Sequence, residues 1–181
     1  MPRKPRLDAE DGIHHVFAHA VARRMLFEDA EDVREYTNLL GMVVEWKEWR
    51  CLAYWLMRNH VHLLVETPAG TLGPGMQVLH GRYGRHYNDR QDIRGAVFDG
   101  RFGSKRMQDV AQMWATVRYI ARNPVEAKVV TAPERYAWSS HAATLGLAEA
   151  PPWLDIARLL EHFAGAGGDP LGRYAEHVAT V

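Results

Sequence analysis

The sequence predicts an α+β fold of the ferredoxin-like type, in which helices back a four-stranded antiparallel sheet. Three observations lead to this prediction. Four short segments have the apolar or alternating composition of strands, and two longer segments have the periodicity of amphipathic helices. Their order along the chain is βαββαβ, followed by a further helix. The second and third strands are separated by only two residues, which is typical of an antiparallel hairpin.

The first half of the chain contains three of the four strands. Residues 13–21 alternate roughly between apolar and polar side chains, which favours a strand. Residues 30–46 carry apolar side chains at helical spacing, after acidic residues that favour a helix start. Residues 49–57 are apolar and aromatic, as in a buried strand. Residues 60–65 are short, apolar and followed by Pro and Gly, so they form the second strand of the hairpin.

The second half begins with a loop at residues 68–75, which contains three glycines and two prolines. Residues 76–88 have helical spacing, and residues 102–107 are assigned to the fourth strand. Asp109 is suited to cap a helix over residues 110–122, which an Asn-Pro pair is expected to end.

The length of 181 residues is enough for one domain with a sizeable core. We expect a loose basic arm at residues 1–12 and a main domain at residues 13–150. A C-terminal extension at residues 151–181 is expected to contain helices at 154–163 and 170–178.

The composition is that of an ordinary globular protein, with 47% hydrophobic and 24% charged residues. One cysteine excludes an internal disulfide. No stretch has transmembrane length, and the N-terminal residues lack the apolar core of a signal peptide, so a cytoplasmic location is expected. The net charge is zero, but residues 80–107 contain seven basic and three acidic side chains, a local charge of +4. Such a patch is able to bind phosphates, or it is a solvated face.

His60 and His62 are the first candidates for chemistry. Side chains alternate along a strand, so these two imidazoles project from the same face. Paired imidazoles are natural ligands of a metal ion. The alternative is that they are two polar residues on the wet face of a half-covered sheet.

Tyr119 and Asn123 are the second pair of candidates, because residues four apart share a helix face. If that face lies over the histidines, the site has two imidazoles, an amide oxygen and a phenol. Such a mixed nitrogen and oxygen set favours Mg²⁺ or Mn²⁺ over structural zinc. A metal can polarise a phosphodiester, and a tyrosine can attack phosphorus covalently. Periodicity alone favours Tyr119 as a packing residue, because aromatic residues at helical spacing usually belong to the core.

Several stretches resemble the REP-associated tyrosine transposases, a branch of the single-tyrosine HUH nuclease superfamily. They lie at residues 1–6, 15–16, 53–66, 83–88, 98–102, 118–127, 136–140 and 153–155. The paired histidines alone are a weak signal, whereas the ordered set is specific to the family.

The resemblance implies a ferredoxin-like nuclease with His60, His62 and Asn123 as metal ligands and Tyr119 as the nucleophile. It implies nicking and strand transfer of single-stranded DNA at hairpin-forming repetitive palindromes, through a 5′-phosphotyrosine and a free 3′-OH. Members of the family include monomers and homodimers. This sequence departs from the usual pattern at Arg58, at His19-Ala20 and at Glu126, which leaves the four site positions intact.

DNA contacts are expected from the basic patch. The candidates for phosphate contacts are Arg82, Arg85, Arg101, Lys105 and Arg106. The candidates for stacking on unpaired bases are Tyr83, Tyr87 and Phe102. Two other functions remain open at this point: a catalytically silent protein that binds DNA hairpins, and a metal-dependent hydrolase that attacks a small phosphoester with water.

Overall fold

The computed structural model describes residues 10–165 and 167–180. The strands are β1 (Gly12–His19), β2 (Arg50–Met57), β3 (His60–Thr67) and β4 (Gly103–Arg106). The helices are α1 (Ala30–Trp46), α2 (Leu72–Gln91), α3 (Val110–Glu126), α4 (His141–Thr144), α5 (Ile156–Glu161) and α6 (Pro170–Ala179). The sheet order is β2-β3-β1-β4, and each neighbouring pair is antiparallel. The predicted ferredoxin-like α+β fold is confirmed.

The two faces of the sheet support separate cores. The face that contains Val61, Leu63 and Val65 packs against α1 and α2. The opposite face contains Trp55 and Leu64 and packs against α3 and the C-terminal helices. Alternate residues of one strand therefore belong to different layers of the protein.

The helix α1 begins and ends at the predicted residues. Asp29 caps its N-terminus, because its carboxylate accepts hydrogen bonds from the backbone N–H groups of Glu31 and Asp32. Arg90 near the end of α2 then forms ion pairs with Asp29, Glu31 and Asp32. The acids that start α1 thus also fasten it to α2.

Two helices extend beyond their predicted bounds. The helix α2 begins at Leu72 and includes Pro74, which the first turn tolerates because its backbone nitrogen needs no donor there. The helix α3 does not end before Pro124 but continues to Glu126. Pro124 is buried and removes only one hydrogen bond of the last turn, so packing outweighs the local preference.

The outer edge of β2 is covered by chain segments that follow α3. The backbone N–H of Leu56 donates to the carbonyl of Trp138, and the N–H of Ser140 donates to the carbonyl of Tyr54. The hydroxyl of Tyr136 donates to the carbonyl of Leu56 at 2.7 Å. These bonds satisfy an edge that would otherwise be open to pairing with another chain.

The C-terminal helices pack against α3. The indole of Trp114 stacks on Phe163 with ring centroids 4.9 Å apart, and its N–H donates to the carbonyl of His162. His177 bonds to the carbonyl of Trp114 at 2.8 Å. Arg158 of α5 holds both carboxylate oxygens of Glu66 at the end of β3. Residues 151–180, where described, therefore brace both α3 and the sheet.

The predicted basic arm lies outside the described residues except for residues 10–12, and Gly12 already belongs to β1. Within the described ranges, no helix is long and apolar enough to cross a membrane.

Candidate active site

The two histidines of β3 lie on the face that packs against α3. Their ring centroids are 5.0 Å apart. His62 is only 5% exposed, whereas His60 at the start of the strand is partly exposed. The Nδ1–H of His60 donates to the side-chain oxygen of Asn59 at 2.8 Å, which leaves its Nε2 as the nitrogen that is free to accept.

The neighbouring strand β1 places two more histidines beside this pair. The antiparallel register sets His19 opposite His60 and Phe17 opposite His62. The ring of His19 stacks on His60 at 5.3 Å. The Nε2 of His15 lies 2.9 Å from the Nδ1 of His62, so one ring N–H joins the two imidazoles. Four histidines from two strands therefore share one surface.

The helix α3 places Tyr119 over this surface. Its phenol ring lies edge-on to His62 with centroids 6.1 Å apart, and its side chain is 54% exposed. Asn123, one turn later, lies near enough to His60 to influence its pKa. The apolar side of the same helix, with Val117 and Ile120, is buried against the sheet. A single chain thus brings together all four side chains that the sequence predicted for the site.

Burial favours the neutral form of His15, His60 and His62. Desolvation, followed by the neighbouring charges of His15, His60 and His19, lowers the pKa of His62 to about 3. Desolvation and then Lys105 lower the pKa of His15 to about 4. The pKa of His60 is also lowered, mainly by burial. Neutral imidazoles keep a lone pair, which a metal ligand requires.

The donor set fits a divalent metal ion. The Nε2 of His62 is buried and has no hydrogen-bond partner among the described residues, so it is available to a ligand. Among the described residues, no three His, Cys, Asp or Glu side chains are placed to hold one ion. A third protein donor would therefore be an uncharged group, and the amide of Asn123 beside His60 fits that requirement. Two imidazoles and an amide oxygen suit Mg²⁺ or Mn²⁺ with open positions for further oxygen ligands.

The predicted DNA-contact residues are exposed but do not share one surface. Lys105 lies opposite His15 in the register of β1 and β4, so it projects from the histidine face. Arg82 and Arg85 belong to α2, in the layer on the other side of the sheet. Arg106 points away from the histidines and pairs with Glu10. Arg101 precedes β4 beside an apolar groove of α2.

The predicted stacking residues are buried. Tyr83 has no exposed surface, and its hydroxyl donates to the carbonyl of Leu26. Tyr87 is 4% exposed and Phe102 is 8% exposed. The prediction that these rings stack on bases is therefore wrong, because they fill the core beneath α2.

Two features of the site were not singled out from the sequence. His15 contacts His62 only because of the register between β1 and β3, although its spacing of four from His19 indicated a common strand face. A cleft of about 720 Å³ also opens beside His60, and Met57, Arg58, Asn59 and Trp138 are among its lining residues. The exposed guanidinium of Arg58 stands in the turn between β2 and β3.

Comparison with known proteins identifies the family to which the chain belongs. A family model described as IS200-like transposase matches residues 10–123, well over half of the chain. The chain belongs to the IS200-like transposase family. The matched residues include His60, His62, Tyr119 and Asn123, so the family region contains the whole candidate site.

The fold is shared with a solved structure. This IS200-like transposase superposes on a REP-associated tyrosine transposase bound to a REP hairpin with a TM-score of 0.66 and 15% sequence identity, over 83% of this chain and 89% of that chain. A candidate transposase from Deinococcus radiodurans gives a TM-score of 0.46 and 17% identity, over 65% of this chain and 95% of that chain. The comparison with curated proteins found no match.

Proposed function

We propose that this protein nicks and rejoins single-stranded DNA at hairpin-forming repetitive palindromes, with Tyr119 as the nucleophile. One observation carries the proposal: the exposed phenol of Tyr119 lies over the buried His62, whose Nε2 has no hydrogen-bond partner in the described part of the chain. A tyrosine whose role is packing would be buried, whereas Tyr119 is 54% exposed beside the histidine cluster. Membership of a transposase family supports DNA as the substrate, and the matched REP-associated transposase was solved with a DNA hairpin.

In the proposed reaction the sheet supplies two metal ligands, and α3 supplies the third ligand and the nucleophile. His60, His62 and Asn123 would hold Mg²⁺ or Mn²⁺, which when bound polarises the phosphodiester and neutralises developing charge. The phenolic oxygen of Tyr119 forms a bond to phosphorus as the bond from phosphorus to the 3′ oxygen breaks. The phenol loses a proton and the 3′ oxygen gains one. The phosphotyrosine retains the energy of the broken bond, so a second 3′-OH can reverse the step with a new strand.

The surroundings of His60 are suited to bind single-stranded DNA. The cleft beside it has apolar walls and an indole on which a base can stack. Arg58 at the rim of this cleft and Lys105 on the histidine face are cations that can contact the phosphates of such a strand. We expect phosphate contacts there first, and Arg82 and Arg85 would contact DNA only if the hairpin wraps around to α2. We also propose that the protein works in the cytoplasm, where such DNA is found.

The test uses a pool of hairpin oligonucleotides with randomised single-stranded flanks and Mn²⁺. The wild type should form a protein–DNA adduct that survives denaturing electrophoresis, and Tyr119→Phe should form none. Tyr54→Phe is the matched control, because that ring is buried on the opposite face of the sheet. An adduct that persists in Tyr119→Phe would refute the assignment of the nucleophile.

The same experiment separates the other functions. Salt-dependent hairpin binding without any adduct would identify a silent DNA-binding protein. Turnover of a small phosphoester that survives Tyr119→Phe but is lost in His60→Ala would indicate hydrolysis by water.

A further inference from the structure

The hydrogen bond between His15 and His62 connects a residue with no assigned role to a proposed metal ligand. We propose that His15 is a positioning residue that keeps the proton of His62 on Nδ1, so that Nε2 retains its lone pair for the metal ion. The inference rests on the proposed metal-dependent function.

Only two arrangements of protons are compatible with the 2.9 Å contact between Nε2 of His15 and Nδ1 of His62. In the first, His15 donates and the proton of His62 sits on Nε2. That N–H would then be buried without an acceptor, because Nε2 of His62 has no partner among the described residues. Orphaned buried N–H groups are rare and costly. A ring nitrogen that carries a proton is also unable to bind a metal.

In the second arrangement, the Nδ1–H of His62 donates to His15, and Nε2 carries only a lone pair. The unsatisfied atom is then an acceptor on a ring that lies edge-on to Tyr119, and a cation can satisfy it. Which ring nitrogen of a histidine is protonated depends on the hydrogen bond of the other nitrogen. The second arrangement is therefore the one that the surroundings favour.

The other proposed ligand, His60, also has its Nδ1 engaged in a hydrogen bond. His60 donates from Nδ1 to the side-chain oxygen of Asn59 at 2.8 Å. Its Nε2 thus also keeps a lone pair. Both imidazoles of β3 then present the same nitrogen, one held by the residue before it and the other by the strand beside it.

The direct test is the ring ¹⁵N spectrum of the metal-free protein, in which two-bond ¹H–¹⁵N correlations identify the protonated nitrogen of His62. We expect the proton on Nδ1 in the wild type. In His15→Leu, which fills similar space without an acceptor, the proton should move to Nε2 or exchange between both nitrogens. His15→Gln restores an acceptor oxygen and should largely restore the wild-type spectrum.

The second readout is the affinity for Mn²⁺, followed by electron paramagnetic resonance. Loss of a residue that supports a ligand histidine weakens metal binding about 10- to 100-fold, and we expect that loss for His15→Leu and partial recovery for His15→Gln. The control is His14→Gln, because His14 lies on the same strand but faces the other core and contacts the carbonyl of Glu10. Thermal unfolding of each variant identifies any general loss of stability.

The outcomes separate the two proposals. A wild-type His62 that is protonated on Nε2, or a spectrum that His15→Leu leaves unchanged, refutes the role of His15. Absence of Mn²⁺ binding in the wild type, with His62 nevertheless protonated on Nδ1, refutes the metal-dependent function while the role of His15 in fixing the tautomer stands.

Discussion

We predict that His141, which contacts one of the helices packed against α3, makes the stability of the protein depend on pH. It is buried in α4, and its Nδ1 lies 2.7 Å from the hydroxyl oxygen of Tyr174 in α6. Burial lowers its pKa from 6.5 to about 4, against a smaller opposite effect of Glu134. Between these two pKa values the unfolded chain binds a proton that the folded chain does not. The free energy of unfolding therefore decreases as the pH falls from about 6.5 towards 4.

The two pKa values set the size of this effect. From about pH 7.5 to about pH 4.5, the lost contribution of His141 is about 2–3 kcal/mol. Other buried histidines add losses of their own, so the wild type has to be compared with a variant that lacks only this titration. His141→Gln keeps a polar partner for Tyr174 and has no ionisable ring.

Urea unfolding at both pH values measures the difference. The wild type should lose about 2–3 kcal/mol more than His141→Gln over this interval. Equal losses in the two proteins would refute the reasoning, because they would show that His141 accepts a proton as readily in the folded state as in the unfolded one.

Three further predictions concern packing, charge and metal. Gly41→Ala would place a methyl group in the ring of Trp153 and should cost about 1–3 kcal/mol in urea unfolding, whereas Gly81→Ala in α2 meets open space and should be neutral or stabilising. Lys105→Ala should weaken binding of hairpin DNA and lower the slope of log affinity against log salt by about 1, and an equal effect of Arg82→Ala would contradict the proposed DNA path. EDTA should abolish the covalent adduct, and Mn²⁺ should restore it. The Asn123→Ala variant should need a higher Mn²⁺ concentration for half-maximal adduct formation. Adduct formation that is insensitive to EDTA would exclude a role for the metal ion.

Much of the fold could be predicted from local patterns. The helix Ala30–Trp46 matched its predicted bounds because apolar spacing and an acidic start coincide. The strand that begins at His60 was predictable because composition and a two-residue turn agree. Pro124 shows the limit of such rules, since burial of the last turn of α3 outweighs the usual effect of proline.

The site was predictable only in part, because its geometry depends on contacts between distant segments. The spacing of Tyr119 and Asn123 placed them on one helix face, but periodicity does not tell on which side of the sheet a helix packs. For the same reason, Arg85 and Lys105 were grouped by sequence although they belong to opposite layers. The contact of His15 with His62 required the register of β1 against β3, which no local pattern encodes.

The position of Tyr119 above His62 within one chain has a consequence for how copies of the protein would cooperate. A set of groups that is complete in one molecule should act at a rate per molecule that does not change on dilution. Mixing a protein that lacks the phenol with one that lacks the imidazole should likewise yield no active pairs, since neither molecule can borrow the missing group. Under the proposed function, each copy would then cut one DNA strand without a second copy. The DNA itself would have to hold the two ends near each other until they are joined.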